Sequence, residues 1–388
     1  MKTYDVVIVG GGIIGCSIAL ALSRRNLRVA VLDRQEPMKE ASWAAAGMLS
    51  PAPDCTAAIP LVPLSRASLG LYPQFVAELE EISQLPTGYR RTGAIEALFH
   101  GDPERELSTL VALHRGLGLA CEPLPLVEAL EMEPALGCDV RAAALLPQEA
   151  SVNVRALGAA LVAATKISGA ELFPACEAVS LIQDQKYCRG IKTAAGETFF
   201  SAQIVLAAGC WTSQIAGAGE FGPTTSVRGQ MVALRHTGKP IHRVLRSERG
   251  YIVPRGPASP QTLVVGSTLE NAGYKKGTTS GGLEKILSAV NELVPELSSA
   301  EILEIWSGLR PGTPDQLPIL GPTTLEGLVM ATGHYRNGIL LAPITAKLIS
   351  EWIIERNTSL DWQDFSPMRF LGAKFDRASN AGAQARES

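Results

Sequence analysis

The chain has 388 residues, 46% hydrophobic and 19% charged, the composition of an ordinary globular protein long enough for two joined domains. Its 35 Lys and Arg against 38 Asp and Glu leave a formal charge of −3, with no dense basic stretch, which argues against nucleic acid and membrane surfaces as partners. Seven cysteines without a Cys-x-x-Cys pair and five scattered histidines suggest neither a disulfide framework nor a metal site, so a reducing cytoplasm and no metal are expected. The apolar start Val6–Leu22 is broken by glycines and flanked by Asp5, Arg24 and Arg25, and is read as part of the fold rather than as a signal peptide. No apolar run reaches the ~18 residues of a membrane span.

In chain order, Tyr4 to Val9 predicts a strand, Gly10, Gly11 and Gly12 break it, and Ile13 to about Arg25 has a helical pattern. A second strand, Arg28 to Leu32, ends at Asp33 and completes a β-α-β unit of ~30 residues, long enough for a crossover helix between parallel neighbours. The stretch from Glu36 to about Ala58 is rich in alanine, proline and small residues, which suits backbone lying against a ligand. Helices are predicted over roughly Leu64–Ile82 and Arg105–Leu117, and from Asn153 to about Ser168, with strand-like runs around Ala178–Leu181 and Gly190–Thr193. Ile204 to Ala208 has no polar face and reads as a buried strand. Alternation with turn residues from Thr225 to Val265 predicts a separate antiparallel sheet, followed by a helix over Gly282–Leu293. Leu328–Thr332 is one more buried strand, Gly333 ends it, and a helix is predicted from about Gly338 to Ile354; the tail after Ala373 reads as flexible.

Gly10-x-Gly12-x-x-Gly15, after a strand and at the head of a helix, is the pattern of a phosphate-binding turn: free N–H groups at the helix start face a pyrophosphate. Asp33, 23 residues after Gly10, is placed to accept hydrogen bonds from ribose hydroxyls. Such a turn serves NAD and FAD alike. Because Ile204–Gly209 and Leu328–Gly338 read as distant strands of the same sheet, the binding domain is assembled from separated pieces around an insertion, which suits an extended flavin dinucleotide lying between domains. The expected fold is therefore α/β, a Rossmann-like FAD-binding domain with an inserted substrate domain on an antiparallel sheet. Its pieces are 1–85, 145–220 and 305–365 for FAD, and 86–144 with 221–304 for substrate, with 373–388 a flexible tail.

Five blocks carry a more specific resemblance: Val7 to Gly15, Ala44 to Leu49, Gly250 to Arg255, Trp306 to Thr313, and Gly333 to Pro343. With these, the chain resembles the D-amino-acid oxidase superfamily of flavoproteins and, within it, the glycine oxidase family of the thiazole branch of thiamine biosynthesis. The resemblance implies that Ile13, Ile14, Asp33, Arg34, Ala41, Ser42, Ala46, Gly47, Met48 and Ala178 touch FAD together with Gly10, Gly12, Gly15 and Gly209. The stretch His334, Tyr335, Arg336, Asn337, Gly338, Ile339 and Leu340 is implied to do the same. It also implies Tyr251, Arg310 and Arg336 around the substrate. A guanidinium binds a carboxylate through two parallel hydrogen bonds, and a tyrosine hydroxyl can add a third. Arg310 is read in a short apolar turn, and the helix start at Gly338 aims N–H groups at the pyrimidine end of the flavin.

Three residues depart from the family pattern: Asp33 where glutamate is the more frequent ribose ligand, Trp43 where a small residue is frequent, and Leu269 where a methionine lines the substrate pocket. No cysteine lies between Arg310 and Gly321, where relatives link flavin covalently, so FAD is expected to be non-covalent. The implied activity is oxidative deamination of glycine and other small amino acids or N-methyl amines. Hydride passes to flavin N5, water hydrolyses the imine, and O₂ becomes hydrogen peroxide, with no nucleic acid or membrane partner and a homo-oligomer by analogy. A dehydrogenase passing electrons to a quinone or partner subunit, and an idle flavin-bearing subunit, remain open alternatives.

Overall fold

The computed structural model describes residues 4–53, 55–257 and 259–371, and the expected flexible tail at 373–388 lies outside them. The first unit runs β1 (Tyr4–Val9), α1 (Ile13–Ser23) and β2 (Val29–Leu32), as periodicity predicts. Helix α1 is apolar on nearly every face, so it is buried nearly all round, between the sheet and neighbouring helices. It closes at Asn26, which takes the left-handed conformation at φ 64°.

The small-residue stretch folds as the short helix α2 (Ala41–Ala44) and strand β3 (Met48–Leu49), before the long α3 (Val62–Ser83) with Pro63 in its first turn. Then come β4 (Ala94–Leu98), α4 (Pro103–Gly116), β5 (Glu122–Leu124), α5 (Leu126–Met132), β6 (Ala142–Leu146) and β7 (Ala150–Ser151). Helix α6 (Val154–Ile167) starts at Asn153, whose side chain accepts from the N–H groups of Arg155 and Ala156. Strands β8 (Glu171–Phe173), β9 (Ala178–Asp184), β10 (Tyr187–Thr193), β11 (Thr198–Leu206), β12 (Thr225–His236), β13 (Val244–Arg246), β14 (Tyr251–Arg255) and β15 (Gln261–Gly266) follow. The chain then forms α7 (Ser280–Leu293), β16 (Glu301–Gly312), β17 (Ile319–Pro322), β18 (Leu328–Thr332) and α8 (Gly338–Glu355).

Among the described residues the strands form two eight-stranded sheets and a small two-stranded one, β3-β7. The first has the order β17-β18-β11-β1-β2-β8, with β10 and β9 continuing from the first half of β11; its β18-β11-β1-β2-β8 stretch is parallel. The second, β16-β12-β15-β14-β13-β4-β6-β5, is antiparallel apart from the β13–β4 pair. Strand β16 pairs with β12 along its length, so residues 305–312, grouped by sequence with the FAD-binding pieces, run in the second sheet. Arg310 stands there opposite Val227, within a strand rather than in a turn. The glycine that suggested the turn, Gly308, has another use: a Cβ on it would lie 2.5 Å from the Ala44 Cβ, so its absence lets α2 settle against the strand.

Candidate cofactor and substrate cleft

The ends of β1, β2, β11 and β18 come together at one edge of the first sheet, where the strand order diverges on either side of β1. Val9, Leu32, Ala207 and Thr332 all face the same cleft there. This is where open α/β sheets bind ligands. The second sheet closes the other side through Met231 on β12, Tyr251 on β14 and Arg310 on β16.

The three turn glycines have different reasons. Gly10 has φ +106°, and a Cβ there would collide with the Ala207 carbonyl, so it is needed for the turn itself. Gly15 packs against the Gly10 carbonyl and lies behind the cleft. Gly12 opens into the cleft, and a Cβ would meet only the Ser42 hydroxyl, 3.1 Å away. That hydroxyl accepts from the Ile13 N–H at 2.9 Å, which satisfies one donor at the start of α1. Asp33 accepts from the N–H groups of Gly11 at 2.7 Å and Gln35 at 2.8 Å; burial nevertheless raises its pKa above the usual carboxylate value. The carboxylate thus braces the glycine turn from within the cleft lining.

Of the residues predicted from sequence, Ile13, Ile14, Arg34, Ala41, Ala46, Gly47, Met48, Ala178, Gly209, His334, Tyr335, Arg336, Gly338 and Ile339 also line the cleft. Gly15, Asn337 and Leu340 do not. The Leu340 carbonyl instead accepts from Ser68, and that of Ile339 from Tyr72, which ties α8 to α3. Buried His334 has its pKa pushed down to about 3 by desolvation, and its Nε2 lies 3.0 Å from the Thr345 hydroxyl. Arg310 donates to the Thr268 carbonyl at 3.1 Å and to the Ser267 hydroxyl at 2.8 Å, and its guanidinium lies over Gly229. The Tyr251 hydroxyl donates to Met231 Sδ at 3.4 Å.

Sequence reading missed several of these neighbours. Leu269, at the pocket-methionine position, is exposed and outside the cleft lining, whereas Met231 lies beside Tyr251. Trp43 packs edge-on against Trp306 with Arg155 over it, and does not line the cleft. Trp211 was not anticipated either: it lines the cleft after β11, under the Arg34 guanidinium at 3.7 Å, while Glu40 binds Arg34 at 2.6 Å. Its only local signal was its position just after a buried strand that ends in glycine.

The lining fits a flavin dinucleotide. The Cβ-free face of Gly12 and the start of α1 are suited to a pyrophosphate, Asp33 to a ribose, and the start of α8, whose cap residue Asn337 supplies no side-chain bond, to an electron-rich ring. The Gly47 N–H in the facing wall has no hydrogen-bond partner among the described residues.

Known proteins share the sequence pattern and the fold of this chain. The bifunctional ThiO/ThiG protein of Trichormus variabilis is 36% identical over 372 residues, covering 95% of this chain but 55% of its own length, so the chain spans about half of that relative. The glycine oxidase of Geobacillus kaustophilus is 34% identical over 373 residues, covering 95% of this chain and 98% of its own. The crystal structure of glycine oxidase from that organism superposes with a TM-score of 0.89 at 33% identity, covering 95% and 99% of the two chains. The family described as FAD dependent oxidoreductase (DAO) matches residues 5–352, and the chain belongs to it.

Proposed function

We propose that the protein oxidatively deaminates glycine and other small amino acids or N-methyl amines. The observation that carries this reading is the meeting, in one cleft, of the glycine turn of the first sheet with Arg310 and Tyr251 of the second. Bound FAD supplies a hydride acceptor at N5 and passes the electrons to O₂. Arg310 pairs with the substrate carboxylate through its planar fork, and Ser267 and Thr268 hold that fork in place. Tyr251 offers its hydroxyl to the same carboxylate in exchange for Met231 sulfur, a weak acceptor. Arg336 lies at the exposed rim of the cleft, where it can guide an anionic substrate. These contacts orient the α-carbon, a source of rate enhancement that needs no side-chain base when the amine binds neutral. The imine product is hydrolysed by water to an oxo acid and ammonia, or methylamine where the substrate is an N-methyl amine, and the imine of glycine can instead serve the thiazole of thiamine.

FAD is held without a covalent bond. The two cysteines of the cleft lining, Cys176 and Cys210, are kept as thiols because burial raises both pKa values, that of Cys210 to about 12. The free state of all seven cysteines supports a cytoplasmic location. Exposed Ile302, Leu303 and Ile305 on the edge strand β16 support association with further copies of the chain. The test is anaerobic addition of glycine, sarcosine and D-alanine in turn. Bleaching of the flavin visible band by glycine or sarcosine is expected, and an unchanged spectrum with all three overturns the reading.

A further inference from the structure

Arg255 stands outside the cleft lining, yet it holds one of the cleft walls. It shares a face of β14 with Tyr251, four residues earlier, and extends toward the segment between α2 and β3. Its Nη2 donates to the Ala46 carbonyl at 2.7 Å and its Nη1 to the Val152 carbonyl at 2.8 Å. No carboxylate pairs with it among the described residues. Burial pushes its pKa down to about 10, with Arg155 adding repulsion, and it is still a cation at neutral pH. A desolvated guanidinium held by two neutral carbonyls is costly, and a neutral amide could donate to a carbonyl as well.

The wall it touches is unusual in its hydrogen bonding. The carbonyls of Ala44, Ala46 and Gly47 are all drawn away by donors: Trp306 Nε1 to Ala44 at 3.0 Å, Arg255 to Ala46, and the Val152 N–H to Gly47 at 2.8 Å. In a trans peptide the N–H points opposite to the carbonyl. Holding the Ala46 oxygen therefore sets the direction of the Gly47 N–H, which has no partner among the described residues and belongs to the cleft lining. Gly47 adopts φ +82°, and a Cβ on it would collide with the Val152 carbonyl, so the peptide has little freedom to relax by itself.

We propose that Arg255 is a positioning residue for the flavin: through the Ala46 carbonyl it turns the Gly47 N–H into the cleft, and it places a positive charge one peptide group behind that wall. The N–H becomes a fixed donor to the ring system, and the charge favours the negative charge that the ring gains on reduction. The inference rests on the reading that the flavin lies along the Ala44–Met48 wall, but not on which amino acid is oxidised.

The experiment compares Arg255→Met, Arg255→Lys and Gly47→Ala with the parent by titrating each apoprotein with FAD and measuring the flavin midpoint potential. Apoprotein melting temperatures are recorded alongside. Arg255→Met is expected to weaken FAD binding about tenfold or more, the loss of a charge-assisted hydrogen bond, and to lower the potential. Arg255→Lys, which keeps the charge and loses the fork, should recover most of the potential and only part of the affinity. If Arg255→Met does not fold, the split between potential and affinity in Arg255→Lys is decisive: parental values of both overturn the proposal. A lowered melting temperature with parental affinity and potential in Arg255→Met makes the residue merely structural and overturns it too. Loss of FAD in Gly47→Ala alone leaves the wall standing without Arg255 as its positioner, whereas parental FAD binding in Gly47→Ala means that the flavin does not lie there.

Discussion

The first sheet meets the cleft with the ends of β1, β2, β11 and β18, where glycines and helix starts present mainly backbone. The second meets it with side chains carried within strands: Met231, Tyr251 and Arg310. The difference fits what the proposed function asks of each wall. A pyrophosphate and a flat ring need close approach and N–H donors, which side chains obstruct, whereas a small carboxylate needs a charged fork held at one angle. Damage to the first wall should therefore appear as lost cofactor, and damage to the second as lost turnover with the cofactor retained.

The largest expected effect is on the first wall. Gly12→Val should abolish FAD binding, because the added carbons enter the space beside the start of α1 and push on Ser42. Purified variant protein should be colourless and should not take up added FAD; normal affinity would mean that the turn is not a phosphate site.

Next comes Arg310→Lys in the second wall. An ammonium cannot reproduce two parallel hydrogen bonds, so kcat/KM for glycine should fall by about 2 to 4 kcal/mol in transition-state terms. Flavin content should stay normal, and an amine without a carboxylate should be affected much less. An equal loss for both substrates, or loss of FAD, would erase the contrast between the walls.

Gly229→Ala sharpens the same contrast from behind. A Cβ there would lie 2.5 Å from the Arg310 Cζ, and what gives way is the end of a flexible side chain rather than backbone. The guanidinium should shift, costing about 1 to 2 kcal/mol in kcat/KM for glycine, with folding and flavin intact. A variant with parental kinetics would show that the position of the fork is not critical.

The smallest effect concerns stability. His334 is buried next to Thr345 and has a folded pKa of about 3, far below its ordinary value of 6.5. Its contribution is fully present above pH 6.5 and is lost progressively as the pH falls from there toward 3, because the unfolded chain takes up the proton first. The apoprotein melting temperature should decline over that range, and His334→Asn should flatten the decline between pH 7 and 5. An identical pH profile in the variant would show that His334 titrates normally.

Much of the architecture was legible in the amino-acid sequence. The runs Val6–Val9, Ile204–Ala207 and Leu328–Ala331 are continuous and apolar because they are buried on both faces, and α1, α3 and α8 announce themselves by period and length. The glycine turn was legible because its chemistry is local: strand, turn, helix start and Asp33 lie within one unit. The second sheet was legible as alternating strands, but Arg310 was assigned to a turn because glycine and proline flank it. The flanking Gly308 proves to serve the approach of α2, a distant partner.

Tertiary structure alone decided the parts made by contact between distant segments. Met231 reaches the cleft because β12 lies between β15 and β16; Trp211 does so because Arg34 and Glu40 converge on the end of β11. Arg255 reads as one more charged strand end until the fold brings the Ala46 and Val152 carbonyls to it from segments 209 and 103 residues away. Periodicity and turn chemistry report on neighbours within a few residues, so they determine elements and the local cofactor turn. Which carbonyl meets which guanidinium depends on the packing of two sheets, and no local pattern encodes it.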